Sequence, residues 1–392
     1  MHNMKKKLET SIHRVEKWVE DHKYKGYEPF DGLSSFLRPL TFGNLFLDRL
    51  LMQLIRQSPI NLRPSFGVKP LDSTIGRGYM AHGYLTMLQV TGDEKYKDKA
   101  VACLDWLMEN KSPTYTDYSW GKHFDFASRS GRYPKFEPIT IWTSLIGLAF
   151  LDAYEVLQEK KYLVVAESVC AWIMKLPRNL TDSGHCLNYY PSEKEGSAIH
   201  NHSMMAAALL AKTAQYVGKI ELVRVAKEAM KYSCTRQLPD GAWHYGEESK
   251  NHWIDNFHSG YNLDSLKSYI ECTNDRSYEE NLSWGLKFYK EHFFEENGRP
   301  KYYHNRVYPI DSQCASQAIE TLANFADNDE SSLELALKVA EWTIDNMQDK
   351  EGYFYYRQYP LLKAKTPMLH WAQATTYKAL SLLLLKLKLH GA

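Results

Sequence analysis

A surplus of one charge, paired cysteines and long apolar runs are all missing from this chain of 392 residues. Lys and Arg number 48 against 47 Asp and Glu. That balance leaves no basic footprint for nucleic acid, and no block of like charge marks a tail. The six cysteines stand apart at 103, 170, 186, 234, 272 and 314 without a C-x-x-C pair, which excludes a zinc knuckle and a dense disulfide framework. Leu380 to Leu385 reads LSLLLL and stops at Lys386, far short of the ~20 residues a membrane span needs. The first twenty residues are charged and lack the apolar centre of a secretory leader, so a cytoplasmic location is expected. Residues 36–62 set Arg38, Arg49 and Arg56 among Leu, Phe and Ile. They read first as a helix packed on the domain, with peripheral membrane contact as the lesser reading.

Aromatics are what the chain has in excess, with 10 Trp, 27 Tyr and 15 Phe, and their placement repeats. Thirteen residues after Asp93, Glu159, Lys219, Asp275 and Asp329, each in a short turn, stand Trp106, Trp172, Tyr232, Phe288 and Trp342. Glycines at 184, 241, 298 and 352 follow the last four, and each leads into further aromatics. Upstream of the turns, apolar residues recur at helical spacing, as in Met204, Ala207, Ala208 and Ala211. The unit is helix, tight turn, helix, then a Gly-marked loop. It predicts pairs at 42–57/73–91, 94–109/139–157, 161–176/200–217, 220–236/257–273, 276–294/311–326 and 330–347/369–387, with an extra helix at 4–22. Six pairs, with every long loop after the same kind of helix, point to an all-α (α/α)6 toroid rather than an open solenoid. One domain over 1–392 is expected, with 1–30 as a helical extension and short hairpin-like loops at one end.

The N-termini of the inner helices should share that loop-rich end. They carry Arg77 with Tyr79, Thr140 with Trp142, His200 with Asn201 and His202, Asp255 with Asn256 and His258, Asp311 with Gln313, and His370 with Trp371. Capping accounts for Asp311 and Asn256; it does not account for the His and Trp residues. The stretch 237–264 adds Asp240, Trp243, Tyr245, Trp253 and Tyr261; 301–306 adds Tyr302, Tyr303, His304 and Arg306; 123–133 adds Asp125, Arg129 and Arg132. Titratable groups beside aromatic platforms suit a sugar site, and clustered Arg suits an anionic one. His258, Asp255, Tyr261, Tyr302, His304, Asp311 and Asp240 are the catalytic candidates. Arg77, Asp125, Arg129, Arg132, Trp142, His200, Asn201, Trp243, Tyr245, Trp253, Asn256, Tyr303, Arg306 and Trp371 are the binding candidates. No cofactor is called for. His200 and His202, two apart, do not share a helical face, so no metal site is expected there.

The segments Ser58-Pro59-Ile60-Asn61-Leu62-Arg63-Pro64, Trp253 to Tyr261, and Pro300 to His304 with Tyr308-Pro309-Ile310-Asp311 resemble bacterial proteins of exopolysaccharide and lipopolysaccharide gene clusters. The resemblance spans roughly residues 30 to 390. It implies a toroid similar to terpene-cyclase and glycosidase barrels, and a role in cell-surface polysaccharide synthesis. It implies no particular reaction. Three readings stay open on the residues. One is proton transfer on an anionic saccharide, as in uronate epimerisation or β-elimination. Another is glycoside hydrolysis by two of Asp125, Asp240, Asp255 and Asp311. The third is a non-catalytic glycan-binding or assembly role. The substrate is a free, lipid-linked or polymeric saccharide in each case, and the sequence assigns no oligomeric state.

Overall fold

A computed structural model describes residues 2–128, 131–192 and 198–391. Its helices, numbered in chain order, are α1 (His2–Asp21), α2 (Leu45–Gln57), α3 (Thr74–Thr91), α4 (Lys95–Glu109), α5 (Thr140–Leu157), α6 (Lys160–Met174), α7 (His200–Val217), α8 (Ile220–Cys234), α9 (Asn256–Thr273), α10 (Glu279–His292), α11 (Ser312–Phe325), α12 (Glu330–Met347) and α13 (Thr375–Leu389). A wide π-helical turn, Leu369–Ala374, leads into α13.

Composition separates the two rings. In α7, small and apolar residues occur all round and nearly every position is buried, as befits a helix enclosed by others. In α8, Leu222, Val225, Ala226, Ala229 and Met230, at helical spacing, make a buried stripe that Tyr232, Ser233 and Cys234 extend at the C-terminal end. Helices α3, α5, α7, α9, α11 and α13 each pack on the next, and α13 packs back on α3. The result is a closed α/α toroid, as the repeat predicts. Glycines let these helices approach: a Cβ on Gly83 would collide with the Tyr377 ring, and one on Gly147 would meet Leu209 at 2.6 Å.

The outer ring is fastened by the repeat glycines. Gly184, Gly241, Gly298 and Gly352 all have positive φ and lie against the backbone of the next outer helix, at Glu228, Trp284, Lys338 and Arg14. The last contact identifies α1 as the sixth outer helix, lying beside α12 and α13. Spacing alone pairs 42–57 with 73–91 and sets 4–22 aside; the structure exchanges these roles. Helix α2 packs on short 3-10 turns at Asp31–Ser34 and Arg38–Thr41 and lies at the mouth of the barrel. Of the thirteenth-position aromatics, Trp172, Tyr232 and Phe288 are buried, while Trp106 and Trp342 pack half-buried against the core. None of the six cysteines forms a disulfide. Small antiparallel pairs, such as Phe126–Ala127 with Arg132–Tyr133 and Arg178–Thr181 with Gly184–Leu187, decorate the loops.

The seam between first and last inner helices predicts that Gly83→Val lowers unfolding stability by ~1–3 kcal/mol through overpacking. Urea denaturation measures it; an unchanged midpoint would contradict the seam.

Candidate active site at the mouth of the barrel

The N-terminal ends of all six inner helices converge on one cavity of about 790 Å³. Tyr79, Trp142, Asn201, His258 and Gln313 line it from α3, α5, α7, α9 and α11, with His370 and Trp371 from the turn before α13. Part of its floor is hydrogen-bonded. The Tyr79 and Tyr261 hydroxyls lie 2.7 Å apart, and Gln313 Nε2 donates to Tyr261 Oη at 2.8 Å. Burial raises both phenols above their ordinary range, so they are neutral.

Two imidazoles open onto this space, and each is held from behind by a buried carboxylate. Asp255 is the N-cap of α9, and its Oδ1 accepts the backbone N–H of His258 at 3.0 Å. Its Oδ2 accepts from Trp253 Nε1 at 2.8 Å and lies 2.7 Å from His258 Nδ1. One residue therefore caps the helix and orients the ring three positions on. The second imidazole, His370, sets Nδ1 against Glu28 Oε2. Glu28 is fixed in turn. Its N–H donates to Asp31 Oδ2 at 2.9 Å, and its carbonyl accepts from Arg63 Nη2 at 2.9 Å. Arg63 and Asp31 form a buried ion pair at 2.8 Å. Desolvation nonetheless lifts the Asp31 carboxyl to about 6. In a neutral imidazole the ring nitrogen facing a carboxylate carries the proton, which leaves Nε2 with its lone pair. Neither Nε2 has a protein partner among the described residues.

The surrounding field is cationic. Arg49, Arg56, Lys122, Lys250, Arg306 and Arg357 line the cavity, against Glu248 as the one carboxylate among the described residues. Glu248 pairs with Lys250 at 2.5 Å. Arg357 donates from Nε to Asp311 Oδ2 at 2.5 Å, and Arg56 from Nε to Tyr356 Oη at 3.0 Å. Lys122 lies 3.9 Å from the centre of the Phe126 ring and donates to Tyr190 Oη at 3.3 Å. Desolvation brings its ammonium down to about 7, against the opposing pull of Glu28. Flat surfaces complete the lining: Tyr245 stacks on Trp253 at 4.5 Å, and Arg306 covers Tyr303 at 4.2 Å.

Of the sequence-predicted residues, the cavity brings together His258, Tyr261, Tyr302, Tyr303, Trp142, Asn201, Tyr245, Trp253, Arg306 and Trp371. Others face elsewhere, each for a visible reason. Asp255 and Asp311 are fully enclosed and serve as anchors; Asp311 Oδ1 accepts from Trp371 Nε1 at 2.7 Å and from the Gln313 N–H at 2.9 Å. Asp240 closes a turn through the Ala242 N–H. Trp243 is buried with Nε1 on the Ser233 carbonyl. Asn256 is buried and accepts from Tyr289 Oη, and His304 sits against the Ile254 carbonyl. His200 bridges Ser233 and Glu247. Arg77 is sandwiched by Tyr24 and Trp106. Asp125 and Arg132 are taken by Arg38 and Asp48. Arg129 lies outside the described residues. Sequence reasoning missed Glu28, Arg49, Arg56 and Lys122 as site residues. Arg357, Gln313 and His370 carried the signal of helix-end or loop position without being selected.

No protein-family model matches the chain, and no curated protein matches it in sequence. Several solved structures share its architecture. A sugar epimerase from a ruminal bacterium is similar with a TM-score of 0.62 at 15% identity, over 82% of this chain and 88% of that one. The GH76 α-mannanase of Bacteroides thetaiotaomicron gives 0.61 at 14%, over 81% and 87%. An unsaturated glucuronyl hydrolase specific for heparin gives 0.65 at 11%, over 99% and 98%. At such identities the likeness establishes the fold, an α/α toroid.

Lys122 is protonated when unfolded up to its ordinary range but loses its proton near pH 7 when folded. Its charge therefore costs stability in full below about pH 7, and the cost fades as pH rises towards the unfolded value. Lys122→Met should be more stable than wild type at about pH 6.5, with the gap closing by about pH 10. Denaturant midpoints at both values test this; a gap independent of pH would contradict the assignment.

Proposed function

We propose that the chain is an enzyme that moves a proton on a saccharide, at a carbon beside a carboxylate or carbonyl, by acid–base catalysis from His258 and His370. The observation that carries this reading is the pair of carboxylate-backed imidazoles with free Nε2 atoms on one cavity. One imidazole, in its base form, takes the proton from carbon, and the electron pair moves into the adjoining C=O to give an enediolate. The other, protonated, returns a proton to the same carbon. The rings come from α9 and from the turn before α13, which flank α11 at the mouth. Among the described residues Arg49, Arg56 and Arg306 line the cavity without a carboxylate partner, which favours an anionic sugar such as a uronate and lowers the cost of the enediolate charge.

The similar folds include an epimerase and hydrolases. The side chains here favour the first, because none of Asp125, Asp240, Asp255 and Asp311 lines the cavity and a hydrolase needs two carboxyl groups facing the substrate. A place in cell-surface polysaccharide synthesis rests on the resemblance of three sequence segments. Six cysteines that form no disulfide agree with a cytoplasmic setting.

Incubation with uronate-containing and neutral oligosaccharides in heavy water tests the reading by NMR and mass spectrometry. Deuterium should enter the uronate set without chain cleavage, and His258→Ala or His370→Ala should each slow this by about 10²–10⁴-fold. New saturated ends would instead mean hydrolysis, a 4,5-unsaturated end β-elimination, and no change in either set binding alone.

A further inference from the structure

The surface beside the mouth carries an apolar patch that the fold does not use. Leu40, Phe42, Phe46, Leu50, Leu54 and Ile60 are 56% to 86% exposed. Phe46, Leu50 and Leu54 are spaced four apart, so they share one face of α2. The other faces of α2 are accounted for. Leu51, Met52 and Ile55 are buried in a small core, and Arg49, Gln53, Arg56 and Gln57 line the cavity. A neighbouring hairpin, Arg357–Gln358 with Lys363–Ala364, holds Leu361 at its tip, 97% exposed. Arg357 Nη1 reaches Gln57 Oε1 at 3.4 Å, which joins this hairpin to the end of α2. A contiguous exposed apolar surface of this kind marks a contact site.

Charge says what the contact is. Between residues 36 and 70 the one carboxylate is Asp48, and it is buried on Thr41 and Arg132. Half-buried Arg49 and Arg56 and exposed Lys69 stand in the same stretch without a carboxylate partner among the described residues, while Arg38 is paired with Asp125. A second copy pairing on this face would set cations against cations, whereas an anionic surface would be attracted. Among the described residues the one helix long and apolar enough to cross a membrane is α5, which belongs to the inner ring, so the contact is peripheral.

We infer that α2 and its flanking turns dock the protein on an anionic lipid bilayer, with the apolar face of α2 in the interfacial layer and the cavity mouth facing the headgroups. This inference is independent of the reaction proposed above.

Co-sedimentation of the full chain with vesicles tests it, comparing phosphatidylcholine alone with a mixture holding about 30% phosphatidylglycerol. The anionic vesicles should retain about tenfold more protein, and about 0.5 M NaCl should remove most of that excess. The triple variant Phe46→Ser, Leu50→Ser, Leu54→Ser should fall to the level of the neutral vesicles. Its thermal melt should match wild type, since these side chains are exposed. Failure to bind anionic vesicles, equal binding to both kinds, or undiminished binding by the folded variant would each overturn the inference. So would a dimer in light scattering that the triple variant dissociates while vesicle binding is absent.

Discussion

Ring closure is the constraint on which everything else in this molecule depends. Six parallel inner helices can close only if neighbours approach at small residues, and Gly83 against Tyr377 makes the final seam between α3 and α13. Closure forces the six N-termini to one end, where they free backbone N–H groups and call for caps. Asp255 and Asp311 answer that call, so carboxylates stand beneath the mouth for structural reasons before any chemistry is considered.

Those caps are then put to a second use. Asp255 has four lone-pair directions and the cap needs one, which leaves Oδ2 for the Trp253 and His258 rings. Asp311 similarly orders Trp371 and Arg357. The second histidine has no cap to lean on, because the turn before α13 is wide and lacks one. Its carboxylate comes from the other end of the chain. The segment after α1 runs beside the turn, with the Leu369 N–H on the Tyr27 carbonyl, and the buried Arg63–Asp31 pair sets the place of Glu28. Burial of that pair costs solvation; it also fixes a geometry that two flexible loops alone would not hold.

The ring and its open end were legible because they repeat. A turn with an aromatic thirteen residues on, then a glycine, recurs in four of the repeats, and each of those glycines lies against the next outer helix. The exchange of α1 and α2 was not legible, since both are amphipathic and their partners lie over 300 residues apart for α1 and in loops for α2. Helix-end position points to His258, Trp142, Asn201 and Trp371, and all four line the cavity. Polar residues in the loops misled where a local partner absorbed them, as Asp48 absorbs Arg132 and the Tyr24–Trp106 pair absorbs Arg77. Glu28 and Lys122 carried no periodic signal. Their role comes from long-range packing that no local pattern encodes.

A carboxylate holds Nδ1 of each of two histidines, so that each Nε2 faces the one cavity, free to take or to return a proton. Nitrogen-15 NMR of histidine-labelled protein tests it most directly. The neutral forms of both His258 and His370 should be the Nδ1–H tautomer, with Asp255→Asn and Glu28→Gln each disturbing only its own ring. An Nε2–H tautomer at either residue in the wild-type protein would contradict it.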